Sequence, residues 1–152
     1  MADEYSNQIA NGQASPIVMS PPSDLRGRLR LLHCDYVQDG VDTPTIEVFR
    51  LPPGRVRVLG HMSNMYAGFT AANFDLGWEA YTESDGDVVA ADIDGLDDGV
   101  AVATALAPCS EQAAVGRTKV FDSKSGVSII ATPSDALADA DTFYGTLAYV
   151  ND

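Results

Sequence analysis

Few residues in this chain are equipped to make or break bonds. The histidines are His33 and His61, and the cysteines are Cys34 and Cys109. Nucleophilic catalysis needs a nucleophile, a base beside it and a group that orients the base. His33 adjoins Cys34, but neighbours on an extended strand point to opposite faces, so adjacency separates the two side chains. The sequence contains no Gly-x-Ser-x-Gly elbow, phosphate-binding loop or dinucleotide fingerprint. Two cysteines and two histidines without a CxxC or HxxxH pair lack the spacing of a structural zinc site. The histidines read as polar groups on a strand or rim, and the cysteines as reduced, partly buried thiols. The chain is therefore expected to have no catalytic residue, no cofactor and no metal.

The acidic stretch ESDGDVVAADIDGLDDG offers oxygen ligands of the kind calcium takes: Glu83, Asp85, Asp87, Asp92, Asp94, Asp97 and Asp98. Counted from Asp92, loop positions 1 and 3 of a helix–loop–helix calcium site are carboxylates, but position 5 is Leu96. The stretch instead reads as a solvated acidic loop. A short helical turn near residues 90–96 is kept brief by the glycines at 86, 95 and 99.

Positive charge is concentrated elsewhere. Arg26, Arg28, Arg30, Arg50, Arg55 and Arg57 are six of the nine basic residues and fall within residues 26–57. If the strands that carry them pair, they form one basic band able to bind carboxylates on a partner protein bidentately. The competing expectation is that each is neutralised by an acid on its own sheet. Trp78, Tyr66 and Tyr81 are the candidates for an aromatic platform, as in a β-sandwich carbohydrate-binding module; core packing is the simpler role.

The elements that position these residues read as β. RGRLRLLHCDYVQ alternates, with Arg26, Arg28 and Arg30 on one side and Leu29 and Leu31 on the other. TIEVFRL sets Ile46 and Val48 opposite Glu47 and Phe49. Leu51-Pro52-Pro53-Gly54 is a turn in which proline presets φ and glycine takes the left-handed corner. RVRVLGHMS follows, then one strand over residues 66–78 with Phe74, Leu76 and Trp78 sharing a face. Residues 100–116 are Ala-rich and ambiguous, and RTKVFDS, GVSIIAT and FYGTLAYV supply the last strands. Seven or eight short strands with turn-rich junctions and no long amphipathic helix predict a mostly β, antiparallel sandwich or jelly-roll-like fold. Residues 1–25 carry Pro16, Pro21 and Pro22 among polar residues and are expected to form an extended arm, with residues 26–152 as a single domain.

The 152 residues suit one compact domain. Twenty-two Asp and Glu against nine Lys and Arg give a net charge of −13, which repels nucleic-acid phosphates and anionic membranes. Apolar runs fall far short of the roughly 20 residues that span a bilayer. The acidic, polar start MADEYSNQIANGQ is unlike a secretory signal. A soluble, cytoplasmically made protein without nucleic-acid or membrane partners is expected.

In order along the chain stand YSNQIANG, Gly27-Arg28-Leu29-Arg30, TIEVFRLPPGRVRVLG, Phe74-Asp75-Leu76-Gly77, acidic residues and YGTLAYV. This succession, over roughly residues 5–150, resembles the small virion structural proteins of tailed bacteriophages, above all capsid decoration or cement proteins. Pro53 in a variable position and the long acidic insertion depart from the pattern. The resemblance implies a non-enzymatic protein without cofactor, seated on the outer capsid surface and assembled in the host cytoplasm. Its implied partners are the major capsid protein and copies of itself, often as homotrimers. A tail or head–tail connector subunit is the alternative virion placement.

Overall fold

In a computed structural model the described residues are 28–41, 45–69, 73–101, 107–108 and 118–151. The first sheet is built around β12 (Thr142–Asn151). Along one edge runs β1 (Leu29–Val37), antiparallel and in unbroken register from Leu29 opposite Val150 to Val37 opposite Thr142. The other edge is shared by β3 (Gly54–Leu59) and β4 (Asn64–Gly68), which are joined by a 3₁₀ turn at Gly60–Met62. β10 (Thr118–Ser123) extends the sheet beyond β3, and β9 (Ala107–Pro108) extends it beyond β4.

The second sheet has the order β2 (Ile46–Leu51), β11 (Val127–Pro133), β5 (Asn73–Trp78), β8 (Asp92–Ala101). β6 (Tyr81–Thr82) and β7 (Val88–Val89) form a small separate ribbon. The architecture is an antiparallel β-sandwich, as the alternation and turn signals predict. Among the described residues there are twelve strands, more than the seven or eight expected, because three are only two residues long, one predicted strand is two, and β8 stands where a helical turn was expected.

That split strand is the first correction. Residues 66–78 do not form one strand: the chain leaves the first sheet at Gly68 and enters the second at Asn73. Inward residues are odd before the crossing (Met65, Ala67, Phe69) and even after it (Phe74, Leu76, Trp78). A single strand cannot change phase in this way, because side chains alternate strictly. The second correction concerns residues 90–96, where β8 replaces the expected helical turn. Gly95 allows the Trp78 ring to lie against the β8 backbone, since a Cβ there would stand 2.2 Å from the ring. The ladder between β5 and β8 shifts register twice, at Phe74/Leu76 and at Leu76/Trp78.

A third departure is local. In β2, Glu47 lies opposite Ile130 and Phe49 opposite Ile129, so Val48 is an extra residue on the β2 side. The bulge turns Phe49 inward beside Val48 instead of leaving it with Glu47. Its ring occupies the space above Gly145, where a Cβ would meet Phe49 Cζ at 2.8 Å.

The core between the sheets is apolar and aromatic. Phe69, Phe74 and Phe143 have ring centroids 5.7–6.0 Å apart, and Phe121 sits edge-on to both Trp78 and Tyr81. Each fully buried large apolar side chain contributes about 1.5–3 kcal/mol relative to exposure. The Lys119 ammonium caps one end, 4.4 Å from the Trp78 ring centroid. Among the described residues, no helix is long and apolar enough to cross a membrane.

Candidate interaction surface

The arginines singled out from the sequence are dispersed by the fold. β1, β2 and β3 do not pair with one another: β12 separates β1 from β3, and β2 belongs to the other sheet. Arg28 and Arg30 are exposed at the start of β1, on the parity that further along turns Leu32, Cys34 and Tyr36 toward the core. Arg55 and Arg57 have the opposite parity to the buried Val56 and Val58, and therefore lie on the outward face of the first sheet. Arg55 stands across from Asp122 of β10. Arg50 grips Glu47 through two hydrogen bonds, Nε to Oε1 at 2.7 Å and Nη2 to Oε2 at 2.9 Å, and also reaches Ser128 Oγ at 3.2 Å. That pairing holds the Glu47 carboxyl below the usual glutamate range and the Arg50 guanidinium above its ordinary value. Arg26 lies outside the described residues, as does the N-terminal arm.

The other candidates separate in the same way. His33 is exposed on the outward face of β1, while Cys34 is half-buried on the inward one. Burial, with the neighbouring Asp35 charge, pushes the Cys34 thiol up. His61 is exposed in the 3₁₀ turn, and Cys109 lies outside the described residues. The acidic stretch is not wholly solvated, because Asp97, at 1% exposure, is buried beside Leu96. The Asp94 carboxylate accepts a hydrogen bond from the protonated Asp92 carboxyl, and this, with desolvation and the Asp94 charge, raises the Asp92 pKa. Among the described residues, no three His, Cys, Asp or Glu side chains converge on one point. The aromatic platform is not assembled either: Trp78 and Tyr81 are core residues, and Tyr66 leans on Tyr144 with centroids 5.8 Å apart.

One open groove of about 340 Å³ lies beside Arg50, between Glu79–Thr82 and Ser125–Ser128. It presents hydroxyls, backbone groups and a carboxylate, and neither histidine lines it. Its cation is already engaged by Glu47.

The surface that sequence reasoning missed is the outward face of the first sheet at β1. Leu29, Leu31 and Val37 are 49%, 61% and 56% exposed, and Tyr144 adjoins them on β12 across from Asp35. The signal was present in the alternation. Once Leu32, Cys34 and Tyr36 are taken together as the core stripe, Leu29 and Leu31 have to face out.

No protein-family model matches the chain, and no curated protein matches it. Among solved structures, it is similar in fold to a chain of the cyanophage Pam1 capsid asymmetric unit, with a TM-score of 0.56 and 14% sequence identity over 100% of both chains. A chain in the structure of infectious bursal disease virus, Gx strain, aligns with 82% of this chain and 32% of its own length, at 16% identity and a TM-score of 0.36. That second alignment is too loose to carry an argument. The first is a likeness of fold.

Proposed function

We propose that this chain is a non-enzymatic virion protein of a tailed bacteriophage that sits on the capsid shell and stabilises it by bridging neighbouring subunits. The observation that carries the reading is the end-to-end fold similarity to a chain of a phage capsid asymmetric unit, with neither chain left over. The order of sequence segments supports it independently. So does the surface chemistry: a carboxylate and hydroxyls line the open groove, and exposed aliphatic and arginine side chains sit at β1. Bridging suits a small acidic block. Many copies on one lattice add weak interfaces into a strong net effect, and the −13 charge keeps decorated particles apart.

In this reading Arg26, Arg28, Arg30, Arg55 and Arg57 bind acidic loops of the major capsid protein, and residues 1–25 reach across to a neighbouring subunit. Arg50, held by Glu47, contributes least. The test is the rupture temperature of expanded empty capsids of the parent phage, with and without saturating protein. It rises if the chain bridges subunits, and less so after deletion of residues 2–24. Arg28→Glu with Arg30→Glu weakens binding more at low salt than at high, because salt already screens the wild-type attraction. An unchanged rupture temperature at saturation removes the proposal.

A further inference from the structure

We infer that the outward face of the first sheet holds a docking site for an arginine side chain of a basic partner protein, formed by Asp35, Tyr144 and Tyr66. The inference stands apart from the shell reading, because it concerns what the isolated protein binds.

The site follows from strand register. Asp35 of β1 lies directly opposite Tyr144 of β12, and Tyr144 lies directly opposite Tyr66 of β4. The three side chains therefore form one row across three strands. Their parity is opposite to that of the buried Phe143, Met65 and Ala67, which sets the row on the outer face. Residues paired across antiparallel strands have Cβ atoms about 4.5–5.5 Å apart, so a group seated on Tyr144 is within reach of both neighbours. Asp35 and Tyr144 are exposed, and Tyr66 is half-buried.

The two rings are arranged as a surface. Their centroids are 5.8 Å apart and their planes are inclined by 34°. Tyr66 leans along its strand over Gly68, where an added Cβ would stand 3.3 Å from Tyr66 Oη and 3.4 Å from its Cε1. The bare glycine gives the ring room to recline on the sheet, so that a ring face is offered to solvent. In the next row the exposed Val37 lies opposite Thr142 and supplies an apolar wall for an aliphatic stem.

Charge selects the occupant. Aromatic ring faces attract cations, and Asp35 adds a full negative charge at the end of the row. The arginines of the same outer face, Arg55 and Arg57, lie far along the sheet. Arg57 is opposite Val150, about 20 Å along β12 from Tyr144. The net charge of −13 draws basic partners from a distance. Nucleic-acid bases also stack on tyrosines, but their phosphates are repelled by the same field. A neutral sugar gains nothing from it. Guanidinium suits the row better than ammonium, because its plane stacks on a ring while its N–H fork pairs with a carboxylate.

The experiment titrates the full chain with the peptide acetyl-Gly-Arg-Gly-amide at low salt and follows the NMR spectrum. The expected result is saturable binding in the millimolar range, as suits one side chain on an open surface, with shifts centred on Tyr66, Tyr144 and Asp35. The lysine analogue binds more weakly and the glutamate analogue not at all. Tyr144→Leu weakens the arginine peptide about two- to five-fold, the worth of one exposed cation–π contact. Asp35→Asn weakens it by a similar factor and reduces its salt dependence, and serves if Tyr144→Leu fails to fold. Asp98→Asn, at an exposed acid of the second sheet, removes the same charge and leaves binding unchanged. Shifts scattered over the acidic surface overturn the inference, as do equal losses in Asp35→Asn and Asp98→Asn or equal affinity for the lysine analogue. It is overturned too if the rings respond to methyl glucoside or a polyproline peptide and not to arginine. Shifts that grow with protein concentration alone would give the site to a second copy of this chain and overturn it as well.

Discussion

The Ser63 hydroxyl accepts a 2.9 Å hydrogen bond from the Ala148 N–H and donates a 3.0 Å bond to the Leu59 carbonyl. The pair repairs a gap in the central ladder. β3 and β4 flank the same edge of β12, but the three residues of the 3₁₀ turn bulge out between them, so Leu147 and Ala148 face no strand there. A fully buried serine takes the place of the missing backbone partner.

Ser63→Ala is expected to leave the Ala148 N–H buried without that acceptor. The loss is about 1–3 kcal/mol, the usual desolvation penalty of an unsatisfied group. Urea unfolding is the measurement: the midpoint should fall with little change in slope, since the surface exposed on unfolding is unchanged.

Two glycine substitutions should differ sharply. A Cβ at Gly77 would stand 1.9 Å from the Asp92 carbonyl oxygen and 2.4 Å from the Ile93 carbonyl carbon, so Gly77→Ala has to push β8 off β5. We expect a loss above about 3 kcal/mol, in the range reserved for severe core lesions. At Gly40, φ is +82° with nothing within 4 Å of the added carbon, so Gly40→Ala carries only backbone strain, about 1 kcal/mol. Thermal melts of the two variants side by side decide the point.

The Glu47 carboxyl titrates below the ordinary glutamate range, because Arg50 hydrogen-bonds its charged form. Its folded pKa lies below the unfolded one, so the associated stability is present above the unfolded value and lost as pH falls through the folded value. The window is therefore the acid side of the usual glutamate range. Because the pair is solvent-exposed, the effect on melting is small. A side-chain carboxyl NMR titration should show the low midpoint, and Arg50→Ala should move it back up.

Alkylation of Cys34 should be slow at neutral pH and accelerate only above the ordinary thiol range, since burial and Asp35 both disfavour the thiolate. Mass-resolved iodoacetamide kinetics at several pH values provide the check. Reaction at the rate of a free cysteine near neutrality would contradict the half-buried placement.

The strands most legible in the sequence were those with one clean alternating face. Val56 and Val58 against Arg55 and Arg57 lie in β3 as the pattern requires, and Phe143, Gly145 and Leu147 carry the inward phase of β12. The errors arose where the phase changes. Phe69 to Phe74 switches parity at a crossing between sheets, Val48 to Phe49 slips it at a bulge, and the acids of β8 hid a strand behind a loop-like composition. At Arg50 the local partner, Glu47, stood three residues away in the sequence. The exposure of Leu29 and Leu31 depended on which face of β1 met the core.

What the amino-acid order determined by itself was the class of the molecule: short alternating strands, turns built by proline and glycine, an acidic body, and no adjacent groups suited to bond chemistry. These follow from local rules, because strand period and turn geometry are properties of neighbouring residues. Tertiary structure alone decided which strands became neighbours, which edges were left open and which charges met. Those outcomes rest on pairings between residues as distant as Leu29 and Val150, and a strand's own alternation is the same whichever partner it finds.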